Sequence, residues 1–181
     1  MFSGYRSLAV AALLAGVVFA QGPRYKLGRA ATEKDAQEKD HFVSPDGKGL
    51  PPGKGTAVEG RDVYKRRCER CHGAQGEGKD EAALVGGKGT LATPKPLKTV
   101  GSYWPYATTL VDYVNRAMPF DNPGLLTNDQ VYAVTALVLH WNGIIGERDV
   151  MDAAALAKVR MPNRDGFVAD ARPDGGKKAR K

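Results

Sequence analysis

A short run of residues with the pattern C-x-x-C-H carries the strongest chemical signal in the sequence. On a helix, Cys68, Cys71 and His72 stand at positions i, i+3 and i+4 and share one face, so two thiols and an imidazole address the same ligand. This arrangement lets two cysteines add across the vinyl groups of a haem while the histidine binds its iron. We therefore predict one covalently attached haem c, with Cys68 and Cys71 as the thioether residues and His72 as the proximal iron ligand.

Three other uses of the two cysteines fit the sequence less well. A thioredoxin-type redox pair lies at the start of a helix after a strand, and the chain shows no such strand pattern. A tetrahedral zinc site needs a further ligand from a second cluster, which is absent from the sequence. A structural disulfide gives no reason for the adjacent His72.

The sixth ligand of the iron is predicted to be Met118. Pro119 disfavours a helical conformation at Met118 and would hold it extended in a loop after a helix. A thioether ligand favours the ferrous state and raises the reduction potential, as suits an electron carrier. The other candidates are less well placed in the sequence, and they are Met151, Met161, His41 and His140.

A covalently held haem with two protein ligands on its iron has no open position for a substrate. The pattern therefore predicts transfer of single electrons and no bond chemistry by this chain itself. Trp104 and Tyr106 are candidates to hydrogen-bond a haem propionate, because each combines an apolar ring with a polar group.

Helical periodicity predicts an all-α core with three main helices. The first covers about Thr56 to Arg70, the second about Tyr106 to Ala117, and the third about Thr127 to Trp141. Thr127 and Gln130 form a capping box at the start of the third helix, and Asn142-Gly143 ends it. A short fourth turn is expected over Asp152 to Lys158.

The ends of the chain have a different composition from its centre. The apolar run Leu8–Ala20 follows Arg6 and is shorter than the roughly 20 residues of a membrane span, which predicts an export signal cleaved after Ala20. An uncleaved N-terminal anchor is the alternative. The 181 residues carry 27 Lys+Arg and 20 Asp+Glu, a net charge of +7. We predict these parts: signal peptide 1–20, partly disordered polar leader 21–55, core domain 56–145, C-terminal extension 146–172 and basic disordered tail 173–181.

Taken together, these residues resemble a class I cytochrome c. Cys68, Cys71 and His72 match the attachment motif, and Met118 matches the distal ligand. Gly60 and Tyr64 resemble the residues at which this family's amino-terminal helix crosses its carboxy-terminal helix. The resemblance implies three helices around one covalent haem, with loop-rich extensions at both ends. The proline carbonyl that usually orients the axial histidine has no clear counterpart here.

A narrower resemblance, to the cytochrome subunits of bacterial sulfite dehydrogenases and of the Sox sulfane dehydrogenase, covers about Gly60 to Arg172. It is carried by four segments, Lys98–Thr109, Asp112–Pro119, Leu139–Ile145 and Met161–Phe167. It implies a periplasmic protein that takes electrons from a molybdenum-cofactor subunit and passes them to a downstream cytochrome or terminal oxidase. No nucleic-acid partner and no integral membrane domain after signal cleavage are expected. A freely diffusing carrier, a haem-based ligand sensor and a thiol redox protein remain as alternatives.

Overall fold

The structure of the chain is a computed structural model that describes residues 27–35 and 42–169. The chain divides into two compact units, Met1–Asp40 and His41–Lys181. In the described part of the first unit, Arg29 forms an ion pair with Asp35. The second unit contains, in chain order, β1 (Lys54–Gly55), α1 (Ala57–Arg67), α2 (Glu69–His72), α3 (Ala107–Ala117), α4 (Asn128–Trp141), β2 (Met151–Asp152) and α5 (Ala153–Ala157).

The helices begin and end where the sequence predicts, within a residue or two. Thr127 caps α4, and its side chain and that of Gln130 form the expected reciprocal capping box. Thr56 and Glu59 form the same arrangement at the start of α1. The predicted first helix is divided at Cys68 into α1 and α2. The all-α expectation is confirmed, since the described regular structure is helical apart from two strands of two residues each.

The close crossing of α1 over α4 organises the core. A Cβ atom added at Gly60 would lie 2.2 Å from the carbonyl oxygen of Ala133 and 2.9 Å from Cβ of Leu137, so only glycine allows the two backbones to approach this closely. One turn further along α1, Tyr64 is 2% exposed and its ring meets that of Trp141 edge-on at 4.8 Å. The role predicted for Gly60 and Tyr64 is confirmed.

A two-stranded antiparallel ladder joins the two ends of the core domain. Lys54 pairs with Asp152 and Gly55 pairs with Met151. Periodicity did not predict this pairing, because two residues are too few to show an alternation. Through this pairing, the segment before α1 is hydrogen-bonded to the segment before α5.

The C-terminal extension packs into the same core. Met151, Leu156 and Met161 are all at most 6% exposed and belong to the main apolar cluster. Asp152 caps α5 by accepting a hydrogen bond from the backbone N–H of Ala155. Residues 146–161 are therefore part of the folded domain, although a three-helix core does not require them.

Several predicted features fall outside the described residues. They are the signal peptide 1–20, residues 21–26 and 36–41 of the polar leader, the basic tail 173–181, and, within the leader, the candidate ligand His41. Within residues 27–35 and 42–169, no helix has the length and apolar character needed to cross a bilayer.

The crossing generates the first testable prediction. Gly60→Ala should lower the free energy of unfolding by about 1–3 kcal/mol, because the added methyl group has no space against Ala133, even though alanine is the better helix former. Urea unfolding followed by circular dichroism measures this. Val58→Ala on the exposed side of α1 is the matched control and should change stability little. A Gly60→Ala variant as stable as the unmodified chain would contradict the close crossing.

Candidate haem-binding site

A cavity of about 560 Å³ lies between α1, α2, α3, α4 and the loops that join them. This volume is within the range of about 300–1,000 Å³ that is typical of pockets for organic ligands. Cys68, Cys71, His72 and Met118 all line it. Its remaining walls are largely apolar and include Leu84, Val100, Trp104, Leu110, Val114, Leu126, Val134 and Val138.

The end of α1 brings the two cysteines and the histidine to this cavity. The N–H of Cys68 still bonds to the carbonyl of Tyr64, at 2.8 Å, and so completes the last turn of α1. The carbonyl of Cys68 then accepts bonds from the N–H groups of Cys71 (3.1 Å) and His72 (3.0 Å), which starts α2. Although the helix is interrupted, all three side chains border one space, as the helical spacing predicts.

The environment of the cysteines does not favour thiol redox chemistry. Neither cysteine forms a disulfide bond. Burial, with a smaller contribution from nearby Cys71, raises the pKa of the Cys68 thiol to about 11. A reactive cysteine needs a lowered pKa, because the thiolate is the nucleophile. The Cys68 thiol therefore stays protonated near neutral pH and is a poor nucleophile for disulfide exchange.

The imidazole of His72 is oriented by a backbone carbonyl. Its Nδ1 lies 2.8 Å from the carbonyl oxygen of Ala82. Since a carbonyl oxygen only accepts, Nδ1 must carry the hydrogen, and the lone pair of Nε2 is left for a metal ion. A hydrogen bond from the ring nitrogen that does not bind the metal also fixes the orientation of the ring and increases the basicity of the other nitrogen. The backbone carbonyl of Ala82 therefore orients the histidine ring, which in class I cytochromes c is usually done by the carbonyl of a proline.

The loop after His72 is built to present this carbonyl. The N–H of Gly78 donates to the carbonyl of His72 at 2.8 Å, and that of Glu81 donates to the carbonyl of Cys71 at 2.9 Å. The carboxylate of Glu77 accepts from the N–H groups of Gln75 (2.7 Å) and Ala74 (3.2 Å). Backbone N–H groups of this turn lower the pKa of Glu77, so the carboxylate stays ionised and keeps the turn closed.

Met118 follows the last residue of α3 and also borders the cavity. Its backbone is extended, with φ −125° and ψ 146°, as expected before proline, and the Met118–Pro119 peptide bond is cis. Its N–H still bonds to the carbonyl of Val114 at 3.2 Å. The loop therefore starts from a fixed helical turn.

The competing ligands that the structure describes lie elsewhere. Met151 and Met161 are buried in the apolar core, 6% and 1% exposed, and neither lines the cavity. Nδ1 of His140 lies 3.3 Å from the carbonyl oxygen of Ile145 at the end of α4, and His140 does not line the cavity either. The structure thus brings Met118 together with His72 and leaves these three residues apart.

Of the two candidate propionate partners, the structure places only Trp104 at the cavity. Trp104 meets Tyr113 edge-on at 5.8 Å, and both rings line the space. Tyr106 does not line it and instead lies under the guanidinium of Arg164, 4.3 Å from the ring centre.

A buried hydroxyl group on the cavity wall was not anticipated from the sequence. Thr135 is 0% exposed, and its Oγ1 has no hydrogen-bond partner among the described residues. It stands on α4 near the apolar residues Val134 and Val138, and all three line the cavity. An unpaired hydroxyl costs stability in the protein alone and can interact with a bound group.

Exposed side chains surround the mouth of the cavity. Phe120 is 86% exposed and follows Met118 and Pro119 in the chain. Three exposed cations, Arg67, Arg70 and Lys98, and two exposed acids, Glu81 and Asp121, also border it. Arg70 and Asp121 are 3.4 Å apart, so the loop of Met118 is linked to α2 by an exposed ion pair.

The residues at the cavity fit a haem attached through thioether bonds. Two thiols, an imidazole with a free Nε2, a thioether and apolar walls are the set that such a group requires. The three-helix fold and this donor set define a class I cytochrome c.

Comparisons with known proteins agree with this classification. The family described as Cytochrome C oxidase, cbb3-type, subunit III matches residues 55–138. A chain in the crystal structure of the sulfane dehydrogenase SoxCD from Paracoccus pantotrophus is 40% identical, with a TM-score of 0.75 over 85% of this chain and 76% of that chain. A search of the curated proteins found no match. The chain belongs to the cytochrome c family, whose members carry covalently bound haem c and transfer electrons, and it is similar to a chain of the sulfane dehydrogenase SoxCD.

Thr135 and Thr99 give a matched test of the polar groups at this site. Both are at most 2% exposed, but Oγ1 of Thr99 donates to the carbonyl of Gly86 at 2.6 Å. Thr99→Val should therefore lower the free energy of unfolding by about 1–2 kcal/mol, whereas Thr135→Val, which breaks no hydrogen bond among the described residues, should not lower it. Urea unfolding of the haem-loaded protein measures both. Destabilisation by Thr135→Val would show that this hydroxyl has a partner in the loaded protein.

Proposed function

We propose that this chain is an exported monohaem cytochrome c that takes single electrons from a molybdenum-cofactor subunit oxidising sulfite or sulfane sulfur. It passes them to a downstream cytochrome or terminal oxidase and performs no bond chemistry itself. The observation that carries the proposal is the single cavity shared by Cys68, Cys71, His72 and Met118, with Nε2 of His72 left free by the bond to Ala82.

In this proposal each residue at the cavity has a defined task. Cys68 and Cys71 would hold the haem covalently, and His72 and Met118 would bind its iron. When bound, the haem supplies a one-electron couple between ferric and ferrous iron. The apolar wall excludes water from the iron and disfavours the more highly charged oxidised state, and the Met118 thioether acts in the same direction. The sequence contains one C-x-x-C-H motif and two cysteines in all, which supports one haem per chain.

The dehydrogenase partner is proposed from the similarity to the SoxCD chain, which extends over 85% of the present chain. The cytochrome subunits that this chain resembles work beside a molybdenum-cofactor subunit, and the extracytoplasmic location follows from the same resemblance and from the predicted export signal. A dedicated subunit would copurify with molybdenum, and its haem would be reduced on addition of sulfite or a sulfane-sulfur compound. A freely diffusing carrier would copurify with neither molybdenum nor dehydrogenase activity.

The axial ligands can be tested with a matched pair of methionine substitutions. The chain is expressed with haem-maturation machinery, and covalent haem is stained on a denaturing gel. Met118→Leu should abolish the sulfur-to-iron charge-transfer band of the oxidised protein, because it removes the only methionine at the cavity among the described residues. Met161→Leu removes a buried sulfur at similar volume and should keep the band.

Each other outcome has a definite meaning. A band that persists in Met118→Leu would assign the sixth position to another residue. A chain with no covalent haem would exclude the proposed function altogether.

The cations at the mouth of the cavity predict salt-sensitive docking of an acidic partner. Arg67 and Arg70 border the cavity, and Lys65 and Arg66 lie beside Arg67 in the last turn of α1. Replacing both Arg67 and Arg70 with Gln should slow haem reduction by the copurified molybdenum subunit about tenfold at low ionic strength and flatten its salt dependence. Arg160→Gln, an exposed arginine outside the cavity lining, is the control. Equal effects of the two changes would argue against docking at the mouth.

A further inference from the structure

We propose that Asn163 and Arg164 are positioning residues that hold Trp104 at the wall of the haem cavity and thereby help to set the reduction potential. This inference rests on the proposed haem site and goes beyond it, since neither residue lines the cavity. It assigns a function to the segment Met161–Phe167, which a three-helix electron carrier does not need.

Three contacts join this segment to the residues on either side of Trp104. Nδ2 of Asn163 donates a hydrogen bond of 2.8 Å to the carbonyl oxygen of Tyr103. The guanidinium of Arg164 lies 4.3 Å from the ring centre of Tyr106. The ring of Phe167 meets that of Tyr103 edge-on, with 5.2 Å between centres. Tyr103 and Tyr106 are thus held directly, and Trp104 lies between them in the chain.

The supporting segment is itself firmly anchored. Met161 is 1% exposed and packs in the main apolar core. The N–H of Arg164 bonds to the carbonyl of Met161 at 3.1 Å, and that of Gly166 bonds to the carbonyl of Asn163 at 3.2 Å. Two consecutive turns therefore fix Asn163 and Arg164 relative to the core, so they can act as a fixed support.

The backbone around Trp104 has no helix or strand to hold it. Residues 100–106 are turn and irregular backbone before α3 begins at Ala107. The N–H of Tyr103 bonds to the carbonyl of Thr99 at 2.9 Å, which holds only the start of this stretch. Beyond it, the indole ring packs against the edge of the main apolar core and meets Tyr113 edge-on. The chain on either side of the ring is held by the contacts from Asn163, Arg164 and Phe167.

The position of this ring matters to a bound haem for physical reasons. An indole at the cavity wall excludes water and carries a polar N–H, and both solvent exclusion and hydrogen bonding near a haem tune its reduction potential. Other charges face the same stretch, because Nζ of Lys98 lies 5.1 Å from the ring centre of Tyr103. A test must therefore leave the charge unchanged, and Asn163, being neutral, meets that condition.

The experiment uses Asn163→Ala in the full haem-loaded chain. Loss of the bond to Tyr103 should change the ferrous-to-ferric ratio at a fixed electrode potential by about threefold or more, measured by spectroelectrochemical titration. Amide hydrogen exchange of residues 100–106 should become faster, because their support is lost. Val168→Ala, a neutral change at a residue that is 91% exposed in the same stretch of chain, should alter neither quantity.

A double-mutant cycle tests whether the effect passes through Trp104. If it does, Asn163→Ala should no longer shift the potential in a Trp104→Phe background. Phe167→Leu is a second, milder variant, because Phe167 is 52% exposed and its replacement leaves the core intact. It should shift the potential in the same direction as Asn163→Ala.

Two results would overturn the inference. One is an unchanged potential in both Asn163→Ala and Phe167→Leu, and the other is an equal shift with or without Trp104. In either case covalent haem and the charge-transfer band would still be present, so the proposed function would stand. A chain without covalent haem would overturn both.

Discussion

The close approach of α1 to α4 is the constraint on which the other features of this domain depend. Gly60 lets the backbone of α1 lie against Ala133, and that contact fixes the direction in which α1 runs. Cys68 follows eight residues later, at the end of the same helix, and α4 itself contributes Val134, Thr135 and Val138 to the cavity. The attachment residues and the opposing apolar wall are therefore placed by a single helix crossing. A bulkier residue at position 60 would disturb the cavity although Gly60 itself does not line it, because Tyr64, one turn further along α1, does.

Most of the rest of the cavity wall consists of loops. These loops have no regular secondary structure, and hydrogen bonds from side chains hold them in position. Asn142, the C-cap residue of α4, donates to the carbonyl of Leu84 and accepts from the N–H of Gly86, both at 3.1 Å. Thr99 and Ser102 tie the next stretch of chain together, with Oγ of Ser102 accepting from the N–H of Thr99 and donating to the carbonyl of Leu97. These bonds satisfy backbone groups that have no ladder or helix to pair with. Leu84 and Val100, the apolar residues of these loops, thereby reach the cavity.

The features that were predictable from the sequence are those encoded in short, local patterns. Helical spacing placed Cys68, Cys71 and His72 on one face, the capping box marked the start of α4, and Pro119 required Met118 to be extended. The acceptor for His72 was not predictable, because it is a backbone carbonyl and any residue at position 82 would supply one. The unpaired hydroxyl of Thr135 was not predictable either, because the sequence shows only a threonine in an apolar helix and not the neighbours of its side chain. The β1–β2 pairing joins residues about 100 positions apart, and the contact of Asn163 with Tyr103 joins residues 60 positions apart. A local sequence pattern cannot predict contacts at such separations.

The C-terminal extension shows how a small electron carrier can support a cavity made largely of loops. A haem contributes much of the apolar core of such a domain, so the protein around it must keep its shape with few regular elements of its own. Here α5 and the turns after it bury Leu156 and Met161 on the helical core and then reach the stretch 103–106 from outside. The same segment leaves Phe167 half-exposed, next to the residues it supports. Because the support is applied from the surface, a change at Phe167 would act on the stretch that carries Trp104 without altering any residue that lines the cavity.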